Sequence, residues 1–569
     1  MHVVTTRRHY KDRVYETHLL RRSFREGGQV RNQTLANLSH LPAETIELIR
    51  RSLRGETFVA AADAFRIERS RPHGHVAAVW AMARKLGLPG LLGPACRQRD
   101  LAVALIVARA CKPSSKLATL RWWADTTLAP DLGVEGADAD DLYTAMDWLL
   151  QQQPAIEQRL ARRHLTPGGL VLYDVSSSWL EGRTCPLAAF GYSRDGKRGK
   201  PQIVYGLVTD PDGRPVAVNV FAGDTGDPTA FAATVQTVTT RLGLDRVVLV
   251  GDRGMITSAR VDALRQREGM DWITALRAPA VKHLAAQGAI QLSLFDQTNL
   301  AEIAHPDYPD ERLVVCRNPA LGADRARKRG ELLAATDTQL DKIAAAVQAG
   351  RLKDAGKIGV RVGRVVNRYK MAKHYTLDIA TGRFAYTHDQ TTIGAEAALD
   401  GVYVLRTSVT TDLLDAPGVV TAYKRLAGVE RDFRSLKTVD LDVRPIHHRL
   451  EDRVKGHLLM CMLAAYLVWH LRRAWAPLCY TDEHPPGRHD PVAPARRSPA
   501  AQHKASRHTT DDGDPAHSFG TLIDHLACLS RDDITLRDTG TRIQQLAQPT
   551  PTQRRAFDLL GAPIPLRLG

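Results

Sequence analysis

Apolar residues recur with a period near 3.6 between positions 73 and 165, and the spacing predicts helices over 75–86, 99–110, 117–123 and 140–163. Ser114-Ser115-Lys116, following Pro113, is placed to cap the third of these. Trp122, Trp123 and Trp148 fall at helical spacing and are expected in the core. From 168 the pattern changes to short apolar runs. Strands are predicted at 170–175, 202–209, 215–221, 246–250 and 272–276. Asp210-Pro211-Asp212-Gly213 turns the second into the third, and helices are expected at 229–242 and 258–268, the first with Asp227 as N-cap. The order β-β-β-α-β-α-β suits a ribonuclease-H-like α/β core, a mixed sheet flanked by helices.

A basic hairpin precedes this core, with strands at 13–20 and 29–38, a turn at Glu26-Gly27-Gly28 and a helix at 43–53. A mixed, partly β insertion follows the core. It carries a charged helix at 324–347 and strands at 375–379, 383–386 and 402–407. The expected organisation is therefore a basic hairpin and helix (1–72), a helical domain available for DNA contact (73–166), the first part of the core (167–279), the insertion (280–416), the second part of the core (417–475), a disordered linker (476–516) and a short helical tail (517–569). The apolar run 458–471 is too short to span a bilayer, contains His470, and reads as a buried helix.

Composition adds a partner. Lys and Arg number 78 against 62 Asp and Glu, a formal charge of +16. That excess favours a polyanion once a phosphodiester site stands beside it. The seven cysteines form no CxxC pair, which argues against a zinc ribbon and a disulfide framework and fits a reducing, cytoplasmic setting. No signal-like apolar run opens the sequence, so no membrane partner is expected.

Three carboxylates carry the candidate chemistry. Asp174 and Asp252 each end a short apolar run, and Glu430 lies in the basic segment 423–437. Helical spacing brings Tyr423, Glu430, Arg434 and Lys437 close to one face. Hard oxygen ligands suit Mg²⁺, and two ions can activate an attacking hydroxyl and stabilise a leaving oxygen. Asp174 is then the shared ligand, with Asp252 and Glu430 each serving one ion. Arg434 and Lys437 would hold DNA phosphates, and Tyr423 would orient a phosphate or stack on a base. The competing reading is that Asp174 and Asp252 merely order loops. In the insertion, Lys357, Arg361, Arg364, Arg368, Lys370, Lys373 and His374 come with no acid between them, while Val360, Val362, Val365 and Val366 offer an apolar side. Arg364, Arg368, Lys370 and Lys373 are the expected DNA contacts there, against the alternative of charges facing solvent or the acids of 324–347.

Tyr173-Asp174-Val175-Ser176-Ser177, Gly206-Leu207 with Gly223-Asp224-Thr225, Gly251-Asp252-Arg253-Gly254-Met255, the segment 423–437, the insertion stretches 357–359 and 369–375, and Ala397-Ala398-Leu399-Asp400-Gly401 carry a resemblance. Over most of residues 8–475 the chain resembles the DDE transposases of the IS4 superfamily, in particular the IS1634-like group. The resemblance implies Asp174, Asp252 and Glu430 as catalytic metal ligands for Mg²⁺ or Mn²⁺. It also implies double-stranded DNA with terminal inverted repeats and target DNA as partners, and a homodimer that pairs the two ends. The superfamily signature Tyr-x2-Arg-x3-Glu-x6-Lys maps onto Tyr423, position 426, Glu430 and Lys437, but position 426 is Leu; Arg434 is the candidate substitute. A different metal-dependent nuclease and a DNA-binding relic of a transposase are the alternatives.

Overall fold

The computed structural model describes residues 1–11, 13–58, 64–537 and 539–569; the parts of the N-terminal and C-terminal expectations that fall on 12, 59–63 and 538 lie outside the described residues. The chain divides into two units, one of Met1–Ser70 with Arg531–Leu546 and one of Arg71–Ser530 with Ala547–Gly569.

The larger unit is built on an eight-stranded mixed sheet. Its strands are β1 (Leu170–Trp179), β2 (Gln202–Thr209), β3 (Pro215–Ala222), β4 (Val247–Val250), β5 (Met270–Ala275), β6 (Leu300–Ile303), β7 (Arg312–Arg317) and β8 (Val402–Thr407), in the order β6-β7-β8-β5-β4-β1-β2-β3. β1 pairs parallel with β4, and β4 with β5; the other pairs are antiparallel. The central strands are buried along both faces, which explains why their sequences read as apolar runs rather than as alternation. Tyr173 packs so tightly on β2 that a Cβ at Gly206 would meet its hydroxyl at 2.1 Å, so only glycine fits there.

Helices cover the sheet. The region 73–165 forms Gly74–Lys85, Leu88–Leu92, Arg97–Cys111, Lys116–Asp125, Leu128–Leu132 and Ala139–His164, in close agreement with the apolar period. Within the expected capping stretch Ser114-Ser115-Lys116, Ser115 is the cap of Lys116–Asp125, accepting from the Ala118 amide at 3.2 Å. α1 (Asp227–Gln236) crosses from β3 to β4; α2 (Ala416–Lys424) and α3 (Leu426–Arg434) return the chain to the sheet, and α4 (Glu451–Ala474) lies behind it. α4 is long and apolar enough to cross a membrane, yet most of its apolar window is buried in the protein. Sheet, 73–165 helices and α4 share one apolar core.

Several expectations change. Asp227 is the first residue of α1 rather than its cap; Gly226 holds that position, and the Asp227 carboxylate pairs with Arg194 instead. β6, β7 and β8, expected within the insertion, extend the core sheet, because β8 pairs with β5. What stands apart is 319–397: helices Pro319–Gln348, Ala355–Tyr369 and Gln390–Ala397 and the hairpin Tyr375–Ala380 with Arg383–His388, with a core that includes Leu340, Ile358, Val362, Val366 and Phe384. The expected apolar side of Ala355–Tyr369 is corrected at Val360, which is 55% exposed; Ile358, Val362 and Val366 recur at helical spacing and form the buried stripe. The segment expected to be a disordered linker is tied down by polar bonds. Lys424 Nζ donates to the carbonyls of Val492 (2.7 Å) and Ala493 (3.1 Å), Asn299 bonds Asp490 at 2.8 Å, and buried Lys504 donates to Glu483 at 2.6 Å from the helix Pro499–Arg507.

In the smaller unit, His2–Tyr10, Arg13–Glu26 and Gln29–Asn37 make a three-stranded sheet followed by Ala43–Leu53, so the expected hairpin has a third strand before it. Part of its basic surface is paired internally: Arg7 bonds Glu16 at 2.6 Å and Arg31 lies 3.1 Å from Glu26. Phe65–Pro72, Ser530–Leu536 and Arg542–Leu546 form a second three-stranded sheet, so the tail, expected to be helical at 518–528 and 551–559, carries strands as well; among its described residues the helices are Phe519–Ala527 and Pro551–Leu560.

Candidate active site

Three separate elements deliver the acids. Asp174 sits within β1, where most side chains are buried. Asp252 follows the end of β4, one strand away in the sheet. Glu430 stands on the exposed side of α3, whose buried stripe is Leu426, Val429 and Phe433. All three line one cavity of about 750 Å³, together with Tyr423, Arg434, Lys437, Arg194, Asp195 and Arg444. Residues separated by 78 and 178 positions in sequence are thus brought together.

Burial pushes the Asp174 carboxyl up to about 7; the Val175 amide donating to it at 2.7 Å opposes the shift, and the charges of Asp252 and Glu430 raise it further. A cation among these carboxylates would relieve that repulsion. Among the described residues, no group of three or more His, Cys, Asp or Glu side chains is placed closely enough to hold an ion by itself. An open set of hard oxygens still fits Mg²⁺, which keeps several waters and takes phosphate oxygens for the remainder of its shell.

The basic residues separate into two kinds. Arg434 is exposed at the cavity and is free to meet an anion. Lys437 is not: its side chain is 10% exposed, and Nζ donates to Asp195 Oδ1 at 2.9 Å. Arg444 donates to the same oxygen. The expectation that Lys437 directly holds phosphate is therefore corrected. It lies in a π-helical turn, Ser435–Val439, that follows α3 and turns its amine inward. The break at Arg425 between α2 and α3 leaves Tyr423 half-buried, with its hydroxyl 3.5 Å from Asp252 Oδ1. Burial and that carboxylate both hold the phenol protonated. Leu426 is buried against the cavity wall, so no cation occupies that signature position; Arg425 is exposed and outside the lining.

Arg194, Asp195 and Arg444 were missed by the sequence reading. Tyr192-Ser193-Arg194-Asp195-Gly196 reads as a polar turn, and the adjacent Arg-Asp pair was its only signal. The insertion cations do not line the cavity. Arg364, Arg368 and Lys370 are exposed, with the Arg368 guanidinium 5.6 Å from the Tyr369 ring centroid. Lys373 pairs with Glu396, and Tyr375 is buried, donating to Asp337 at 2.7 Å. Of the acids of Pro319–Gln348, Asp337 takes Tyr375 and Asp341 takes Tyr386, while Asp324 and Glu331 pair with Arg327 of their own helix.

Residues 179–467 match the family model described as transposase DDE domain, a match that spans just over half of the chain and includes Asp252 and Glu430 but begins after Asp174. Residues 3–63 match the IS1634 family transposase, N-terminal domain. No curated protein matches the chain. A solved structure described as a cryo-EM structure of piggyBac transposase synaptic complex with hairpin DNA is similar at 11% identity, covering 75% of this chain and 70% of that one, with a TM-score of 0.31; so low a score carries no argument. On the strength of the DDE-domain match, the chain belongs to the DDE transposase family, and is an insertion-sequence transposase that cleaves and joins DNA with the help of a divalent metal.

Proposed function

We propose that Asp174, Asp252 and Glu430 are the metal ligands of this transposase and hold two Mg²⁺ ions, with Mn²⁺ able to replace them. The observation that carries the reading is the convergence of these acids on one cavity, where two of them raise the Asp174 carboxyl. When bound, such ions make an attacking hydroxyl a better nucleophile and stabilise the leaving oxygen. The rest falls to the chain's own side chains. Asp174 would serve as a ligand to both ions in its ionised form, against the burial that raises its carboxyl. Tyr423 stands beside Asp252 and fixes that carboxylate. Arg434, on the turn after Glu430, takes the phosphate that position 426 lacks a cation to hold.

The order β3-β2-β1-β4-β5 supports a ribonuclease-H-like core, extended by three strands and interrupted by the body 319–397. The N-terminal match supports membership of the IS1634-like group within the IS4 superfamily. The substrate is double-stranded DNA bearing terminal inverted repeats, with target DNA as acceptor, and a homodimer pairs the two ends. The protein works in the cytoplasm, on the nucleoid. Labelled duplexes carrying the element's ends should be cut with Mg²⁺ or Mn²⁺ and left intact in EDTA. Cutting that persists in EDTA would sink the metal assignment.

Two further results follow for DNA contacts. Arg434→Gln should weaken binding evenly across sequences and lower the log–log salt slope by about one. Reversing Arg364 and Arg368 to Glu together should cost at least about tenfold in binding to element ends. The melting temperature should barely move, because both side chains are exposed on a helix whose core is Ile358, Val362 and Val366. A footprint on the terminal repeat identical to that of the wild type would remove the insertion from the interface.

A further inference from the structure

Between β1 and β2 the chain runs through 180–201, and Arg194 and Asp195 of this loop line the catalytic cavity. The loop is not slack. The Gly223 amide donates to Leu187 O at 2.9 Å, and Ala189 and Gln202 exchange backbone bonds of 3.2 and 2.7 Å. Ser177 Oγ donates to Tyr192 O at 3.3 Å and accepts from the Arg194 amide at 3.1 Å. Gly191 is pressed on the neighbouring backbone so closely that a Cβ would meet Gly223 O at 2.0 Å.

On either side of that pinned glycine, Phe190 and Tyr192 leave their side chains in solvent, 75% and 79% exposed. A single exposed ring needs no explanation. These two exposed rings stand on a backbone fixed at five points, next to Arg194, a cavity-lining cation that also pairs with Asp227. The Arg194 guanidinium lies 5.6 Å from the Tyr192 ring centroid. Arg183, Lys197 and Arg198 are exposed on the same loop, while its one nearby Glu, Glu181, is taken by Lys200 at 2.7 Å. Aromatic faces interleaved with cations suit bases and the backbone that carries them. A second copy of the chain is a poorer occupant. Two rings supply at most about 500 Å², less than the roughly 800 Å² per partner of a stable interface.

We infer that Phe190 and Tyr192 form a stacking platform for unpaired bases of a DNA strand opened beside the phosphate held at the catalytic cavity. The inference rests on the transposase function and adds a base-binding surface to it.

The test uses the full chain, a labelled oligothymidylate of about 15 nucleotides and an unrelated duplex of equal length, with affinity read by anisotropy. Phe190→Ala and Tyr192→Ala should each weaken single-strand binding about tenfold, and the double variant more, while duplex binding stays within about twofold. Tyr192→Phe, which keeps the ring, should bind like the wild type. Both rings are exposed, so melting temperatures should be unchanged. Undiminished single-strand affinity in the double variant overturns the platform, as does an equal loss on the duplex. A dimer that dissociates in the double variant without loss of single-strand binding assigns the rings to a contact between copies and also overturns it. Wild-type protein that binds neither DNA points to failure of the underlying DNA reading, which is a different result from a ring-independent affinity.

Discussion

Glu430→Gln is expected to abolish cleavage of element ends, by more than about 100-fold, while DNA binding stays within about twofold. Even partners that only orient a metal ligand typically cost ~10–100-fold when removed, so loss of a ligand should exceed that range. Gln keeps the shape of Glu430 on the exposed side of α3 and removes the charge. The fold has little reason to respond, since the buried stripe of α3 is Leu426, Val429 and Phe433. Asp174→Asn should lose cleavage as fully, yet melt higher than the wild type in ion-free buffer. The wild-type carboxyl is raised from its ordinary value to about 7, chiefly by burial. A raised carboxyl destabilises the folded state as it ionises. The cost is absent below about pH 3.9, grows from there, and is complete above about pH 7. The gain from Asp174→Asn should therefore be larger at pH 8 than at pH 4, and Mg²⁺ should stabilise the wild type but not the variant. Near-normal cleavage by Glu430→Gln, or a variant at Asp174 that melts lower at pH 8, would contradict this account.

Local patterns made the acids and the helices legible. Asp174 and Asp252 announce themselves because an acid in or after a buried apolar run needs a reason, and β1 and β4 are such runs. The 73–165 helices were legible because their apolar stripes repeat at 3.6 residues. Pairing at long range was not. β8 lies beside β5 although 126 residues separate Ala275 from Val402, and no local period says which sheet a strand will join. The same limit hid the fate of Lys437. It lines the cavity, but its partner Asp195 is 242 positions away. Val360 shows the opposite error: a valine among other valines was assigned to the apolar side by type, while its phase around the helix turns it to solvent.

Asp195→Ala should produce the largest loss of stability of any single change at this site, about 3–5 kcal/mol, because it leaves charges behind without a counter-charge. The Asp195 side chain is 1% exposed and one of its oxygens receives both Lys437 and Arg444. Burial pulls the Lys437 amine below its ordinary range, and Asp195 opposes that shift, which is how an indispensable partner behaves. The carboxylate also joins distant segments: the loop after β1, the π-helical turn after α3, and the stretch leading to Arg444. Its loss should therefore loosen the end of the segment that carries Glu430, and cleavage should fall along with the melting temperature. A double-mutant cycle separates pairing from packing. Lys437→Met beside Asp195→Ala removes the amine left unpaired, so the double variant should recover part of the stability lost by Asp195→Ala alone, with a coupling of at least about 1 kcal/mol. Additive losses in chemical denaturation would mean that Asp195 acts through its other neighbours. A recovery in stability without recovery of cleavage would show that Lys437, once held by Asp195, orders the catalytic helix rather than merely filling the space beneath it.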